Sequence, residues 1–174
     1  MSILVFVEAA EGQIKKTSIE AVAYAHAMGD EVIALVLGNV DKSALESLGN
    51  FGATKVLHAA DDRLNNGVIQ AYASVITQAM SSTGAKVLVL ANTSLGSPVS
   101  ARVAVKLDAS LVSNVVALPD TSAGFKVKRS IYTGKAFAFV DLTKDVKILA
   151  IKKNAAEVKD LGLTTSVESF DANL

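Results

Sequence analysis

Lys86-Val87-Leu88-Val89-Leu90-Ala91-Asn92-Thr93-Ser94-Leu95-Gly96-Ser97-Pro98 is the stretch that decides the fold. Lys86 to Leu90 reads as a strand buried on both faces, because its apolar residues run on without the alternation of a half-exposed strand. A hydroxyl-rich loop follows. Ser97 then caps a helix with Pro98 at its first position, where a missing N–H costs nothing. Val99, Val103 and Leu107 fall along one face of that helix. A buried strand feeding a helix is the front half of a βαβ unit.

The same unit repeats toward the N-terminus. Ile3 to Val7 is a continuous apolar run, followed by Thr17-Ser18-Ile19-Glu20, the spacing of a capping box, and by an Ala-rich helix that ends at Gly29. Val32 to Leu37 is a second apolar run. Asp41 caps a short helix whose Leu45 and Leu48 face inward and which Gly49 and Gly52 end. Lys55 to His58 is a third strand. Ile69, Tyr72, Ala73, Ile76 and Met80 recur at helical spacing. Strand and helix alternate four times up to Leu107, which predicts a parallel sheet with helices on both faces.

Downstream the pattern changes. Leu111 to Leu118 is apolar and ends at Pro119. Phe125 to Tyr132, Ala136 to Leu142 and Val146 to Lys152 are strand-like, with Thr133-Gly134-Lys135 and Thr143-Lys144-Asp145 between them. Links this short predict antiparallel neighbours, so the sheet gains an antiparallel addition in its C-terminal third. Thr164 to Glu168 is one further edge strand. The expected division is residues 1–155 as the α/β domain and residues 156–174 as a tail or edge strand.

Composition excludes several function classes. Of 174 residues, 51% are hydrophobic, enough for a packed core, and 17 basic residues balance 17 acidic ones. That balance argues against a nucleic-acid partner, which demands a basic face. No apolar run approaches the length of a membrane span, so no membrane insertion is expected. The lack of Cys excludes disulfides, iron–sulfur clusters and thiolate catalysis, and two His exclude a His-rich metal site. The N-terminus reads as a strand and not a signal peptide, which gives a cytoplasmic location, or an organelle matrix after removal of a transit segment.

Thr93, Ser94, Gly96 and Ser97 form the candidate anion site. They leave a strand's carboxyl end and enter a helix, whose first N–H groups favour negative charge. The same residues also suit an ordinary capped helix start. Arg102 on the following helix, and Arg129, Tyr132 and Lys135 around the Tyr132-Thr133-Gly134 turn, are candidate interface residues. They suit equally a solvated helix face and a hairpin whose charges resist edge aggregation. The loop Glu8-Ala9-Ala10-Glu11-Gly12 has one glycine, so it lacks the dinucleotide fingerprint, and no Gly-Lys-Ser/Thr triplet forms a phosphate loop. His26 and His58 have no partner at useful spacing. Asp61-Asp62 reads as a cap and a solvated loop. No catalytic residue and no metal ligand is assigned.

Three segments carry a resemblance. Ser94 to Ala109 resembles the loop and "Arg-Val-Ala…Leu" helix of electron-transfer flavoprotein alpha subunits. Arg129-Ser130-Ile131-Tyr132-Thr133-Gly134-Lys135-Ala136 is similar to that family's "Arg-Pro-x-Tyr-x-Gly-Asn/Lys-Ala" turn, and Ile148 to Asn154 to its strand ending in "Arg-Pro-Asn". Ser130 and Lys153 stand where that family often has Pro, and Asn114 where it has Asp. The resemblance implies a three-layer, Rossmann-like sheet of the adenine nucleotide alpha hydrolase-like type. It implies the N-terminal domain of the alpha subunit, without the C-terminal FAD-binding domain toward which residues 156–174 would lead. In the full protein it implies one FAD, none held tightly by this chain, and a non-enzymatic electron carrier of fatty-acid β-oxidation. That carrier runs from acyl-CoA and related dehydrogenases to a quinone oxidoreductase, in bacterial cytoplasm or mitochondrial matrix. This domain would be the scaffold and the beta-subunit interface. A stand-alone adenine-nucleotide binder of universal-stress-protein type is the alternative, weakened by the missing Gly-x-x-Gly loop. An ATP-pyrophosphatase would need a Ser-Gly-Gly-x-Asp-Ser loop where Glu8-Ala9-Ala10-Glu11 stands.

Overall fold

A computed structural model describes residues 2–174. Its elements are β1 (Ser2–Val7), a two-residue hairpin β2 (Ala9–Ala10) and β3 (Gln13–Ile14), α1 (Lys16–Ala27), β4 (Glu31–Leu37), α2 (Lys42–Ser47), β5 (Lys55–Ala59), α3 (Ile69–Thr83), β6 (Val87–Ala91) and α4 (Gly96–Leu107). β7 (Ser110–Val115), β8 (Lys126–Ile131), β9 (Ala136–Asp141), β10 (Lys147–Ile151) and β11 (Ser166–Ser169) follow. Nine strands form one sheet in the order β11-β5-β4-β1-β6-β10-β7-β8-β9. All its neighbours run parallel except β7–β8 and β8–β9.

Alternate residues of β1 feed two cores. Ile3, Val5 and Val7 pack with Ala21, Val22, Tyr24 and Ala25 of α1 and Leu45 of α2. Leu4 and Phe6 pack with Tyr72, Ala73 and Ile76 of α3 and Val99 and Val103 of α4. A strand with both faces buried must be apolar throughout, which is why these runs read as continuous. Helices therefore cover both faces, and the three-layer α/β class expected from the alternation is the observed one.

The antiparallel addition is β8–β9, joined to β7 where Val115 faces Arg129. It lies over the α1 side, since Val127 and Leu142 are buried in that core and the Tyr24 hydroxyl donates to Ala117 O at 2.7 Å. One expectation is overturned. β10 is not the third strand of this addition. It inserts between β6 and β7, parallel to both, with Lys147 opposite Val87 and Ser110. Ile148, Leu149, Ala150 and Ile151 are all buried, which only an interior strand with helices on both faces allows. A short link fixes only that two strand ends are close, not that the strands pair.

Two helix starts also differ. Lys15 is the N-cap of α1 and makes no side-chain cap bond, so Thr17 and Glu20 lie inside the helix. The box residues serve distant backbone instead: Ser18 Oγ accepts from Glu8 N at 2.8 Å, and the Glu20 carboxylate accepts from Asn154 N at 2.9 Å. α4 begins at Gly96, not after Ser97, with Leu95 at its N-cap position.

Candidate functional site

The chain leaves β1 for β4 on one side and returns to β6 on the other, so the β1/β6 boundary is the switch point of the sheet. In open α/β sheets the crevice outside the strand carboxyl ends at such a point is the place for a ligand. Here the two residues that reach into it are Glu8, after β1, and Thr93, after β6.

Glu8 is 3% exposed. Its Oε1 accepts from the Thr93 hydroxyl, and its Oε2 lies 3.1 Å from Lys15 Nζ. Thr93 Oγ1 in turn accepts from Gly96 N at 2.8 Å, so Thr93 performs the capping that the sequence assigned to Ser97. The rest of the helix start is also engaged. Ser97 N donates to Thr93 O at 3.0 Å and Val99 N to Leu95 O at 3.2 Å, while Pro98 has no N–H. A Cβ at Gly96 would collide with the carbonyl oxygen of Ala91, so only glycine lets α4 start this close to β6. Among the four anion-site candidates, Thr93 and Gly96 thus bond to each other, and Ser94 and Ser97 face solvent. The position open to a phosphate in a binding protein is held here by the protein's own carboxylate.

Sequence reasoning did not single out Glu8. Its signal was one acidic residue directly after a fully apolar strand. The acidic residues that were weighed have other uses. Asp61 caps the 3-10 turn at residues 62–64 and accepts from Arg63, whose hydrogen bond holds its carboxyl down at about 2. His58 Nε2 lies 2.8 Å from Gly38 O, and His26 is exposed. No group of three or more His, Cys, Asp or Glu among the described residues is placed to hold a metal. A cleft of about 1040 Å³ lies at the opposite end of the sheet, where Val87 and Lys147 begin β6 and β10.

Of the interface candidates, Arg129, Tyr132 and Lys135 come together on the β8–β9 hairpin. Arg102 does not join them and is exposed on α4. Arg129 Nη2 reaches Ser113 Oγ at 3.3 Å, while its buried Nε has no partner. Tyr132 is 76% exposed. Lys152 Nζ lies 3.5 Å from Ser130 Oγ beside the turn. Phe137 and Phe139, which the sequence reading passed over, are 54% and 68% exposed on β9. The small–aromatic alternation Ala136-Phe137-Ala138-Phe139 was the signal for them.

Fold and rim together define a Rossmann-like α/β domain whose ligand crevice is closed from within and whose exposed aromatic residues Tyr132, Phe137 and Phe139 lie on an outer hairpin. Residues 3–174 match the family model described as "Electron transfer flavoprotein domain", and the chain belongs to that family. It is 29% identical to the electron transfer flavoprotein subunit alpha of Bacillus subtilis over 176 residues, covering 99% of this chain and 54% of the relative. The subunit alpha of Syntrophomonas wolfei is 30% identical over 155 residues, covering 88% of this chain and 49% of its own. A probable mitochondrial subunit alpha of Caenorhabditis elegans is 29% identical over 169 residues, covering 97% and 50%. The chain spans about half the length of the curated relatives it matches, and it corresponds to an electron transfer flavoprotein alpha N-terminal domain. No helix among the described residues is long and apolar enough to cross a membrane.

Proposed function

We propose that this chain is the scaffold and subunit-facing domain of an electron carrier and carries out no chemistry of its own. In the complete carrier one FAD would be held elsewhere. Electrons would pass from acyl-CoA and related dehydrogenases to a quinone oxidoreductase, with an electron transfer flavoprotein beta subunit as the direct partner. The observation that carries the reading is the family match over residues 3–174 to relatives named as alpha subunits. The rim supports it: the Thr93 hydroxyl donates to the buried Glu8 carboxylate and accepts from Gly96 N, so a negative charge of the protein itself stands beside the helix start that would have to receive a flavin pyrophosphate. The hairpin supports it too, since Arg129, Tyr132 and Lys135 cluster there and a domain without chemistry acts through its surfaces. Arg102 would mark a second contact area on α4.

Two measurements test this. The chain expressed alone is expected to purify colourless, and a tagged copy to retain the beta subunit of the same organism on co-expression. Stoichiometric flavin bound to this chain alone, or no pairing even when the alpha subunit is supplied at full length, would overturn it.

A further inference from the structure

Asn66 is the one asparagine of this chain that a glycine follows. Lacking a Cβ, glycine leaves its own amide nitrogen open to the side chain before it. Asn66 is exposed in the loop between the 3-10 turn at residues 62–64 and α3, and its carboxamide makes no hydrogen bond among the described residues. The neighbouring Asn65 differs, since its Oδ1 accepts from Asn39 N at 2.8 Å. The Gly67 nitrogen, in contrast, is engaged. Tyr72 of α3 is 7% exposed and donates its hydroxyl proton to Leu64 O, while the Gly67 backbone N–H bonds to the same phenol. One buried hydroxyl thus ties loop 64–67 at both ends. Burial pushes the ionisation of Tyr72 upward, so the phenol keeps its proton at mildly alkaline pH.

We infer that Asn66 is a site of spontaneous deamidation and that the Tyr72 hydroxyl holds it in check while the loop is folded. In the reaction Gly67 N gives up its proton to the solvent and attacks Asn66 Cγ. The new C–N bond closes a five-membered succinimide, and the Cγ–Nδ2 bond breaks to release ammonia. Water then opens the ring at either carbonyl and leaves aspartate or isoaspartate, with no oxidation or reduction. The succinimide nitrogen carries no hydrogen, so the bond from Gly67 to Tyr72 must break before the ring can form. The folded chain therefore reacts only through openings of the loop. The two products act differently. Aspartate adds a negative charge just before α3, which has no side-chain cap and no acidic residue in its first turn, so the helix end favours it. Isoaspartate lengthens the main chain by one carbon between positions 66 and 67 and draws Gly67 away from Tyr72. That loosens a loop whose Leu64 and Asn65 pack against Gly38 and Asn39 at the carboxyl ends of the sheet.

Incubation at mildly alkaline pH, followed by tryptic mass spectrometry, tests both halves. Cleavage after Arg63 and Lys86 isolates Leu64 to Lys86, and fragmentation distinguishes Asn65 from Asn66. The amide-to-acid mass change is expected at Asn66, and an isoaspartyl methyltransferase should label the wild-type chain and not N66Q. The folded chain should react at least ~10-fold more slowly than the same chain in guanidinium chloride. Y72F keeps the ring and removes the hydroxyl, so it should speed the folded reaction ~5-fold, the scale of one hydrogen bond, and leave the rate in denaturant unchanged. A thermal melt checks that Y72F is folded. Exchange of the Gly67 amide in the wild-type chain reads the same protection without a substitution, and it should be slower than that of Asn66. An Asn66 that stays intact in denaturant as well as in the folded chain overturns the site. Equal rates folded and unfolded, or a Gly67 amide that exchanges as an open loop does, overturn the role of Tyr72.

Discussion

Glu8 shows what a single residue decides on this rim. Its carboxylate receives the Thr93 hydroxyl on one oxygen and faces Lys15 on the other. Glu8→Ala should cost ~3 kcal/mol in urea unfolding, because Thr93 loses a buried acceptor and a cavity opens. Glu8→Gln, which keeps the shape and an acceptor for Thr93, should cost ~1 kcal/mol. Lys15 is half exposed, so its share, measured in a double-mutant cycle, should stay below ~1 kcal/mol. Equal costs for the alanine and glutamine variants would mean that charge and not hydrogen bonding holds the crevice shut. Tyr24 carries a second residue-level test. Its buried hydroxyl donates to Ala117 O, and burial pushes its ionisation well above the ordinary 10. The unfolded chain ionises near pH 10 while the folded one stays protonated, so the unfolded state binds fewer protons there and stability must fall as pH rises beyond 10. Tyr24→Phe should flatten that alkaline slope at a cost of ~1 kcal/mol at neutral pH. Neither Glu8 nor Tyr24 was legible in advance. Local spacing gave Thr17 and Glu20 a cap, but Glu20 bonds a residue 134 positions away, and no local rule sees such a partner.

At the scale of elements, buried strands and the stripe of α3 were legible locally, whereas the starts of α1 and α4 were not. β1, β4 and β6 were continuous apolar runs because each is buried on both faces, while β5 was read as a short strand from Lys55 to His58. α3 was legible from its stripe, with Tyr72, Ala73, Ile76 and Met80 all buried. β10 was found as a strand and misplaced as a neighbour, because its sequence records burial and not which strands flank it. Its four buried residues were the cue that a hairpin edge was wrong. The difference between β10 and β9 is measurable. β10 is bonded on both sides, so its amides should exchange only with global unfolding, whereas the outward amides of β9 in the free chain should exchange orders of magnitude faster. Leu149→Ala, at 0% exposure, should cost 2–5 kcal/mol, roughly the range for a core leucine. A β10 that exchanged as readily as β9 would contradict its central position.

At the scale of the whole molecule, the class of sheet followed from alternation, but its order did not, because order depends on which distant segments return to which edge. The return of the C-terminal segment is the clearest case. From Asn154 the chain crosses the α1 side, where Ala155 and Ala156 pack on the core, and reaches the far edge of the sheet. There Leu161 N donates to Asn50 O at 2.7 Å, and β11 pairs in parallel with β5 from Ser166 opposite Lys55 to Ser169 opposite His58. The Gln78 amide holds Asn173 through two bonds of 2.9 Å. The crossing is close enough that a Cβ at Gly49 would stand 2.8 Å from the backbone at Thr164 and Thr165. The segment therefore covers the edge of β5 that would otherwise lie bare. Ending the chain at Asn154 should remove several backbone bonds worth ~1 kcal/mol each, lowering stability by at least ~3 kcal/mol. It should also expose β5 to edge-to-edge association, visible as light scattering at concentrations where the full chain stays clear. Gly49→Ala separates the two effects, since it lifts the crossing without deleting β11: it should lower the urea midpoint while scattering stays at the level of the full chain. If the shortened chain unfolds at the same urea concentration as the full one, β11 is an ornament of the sheet and not its guard.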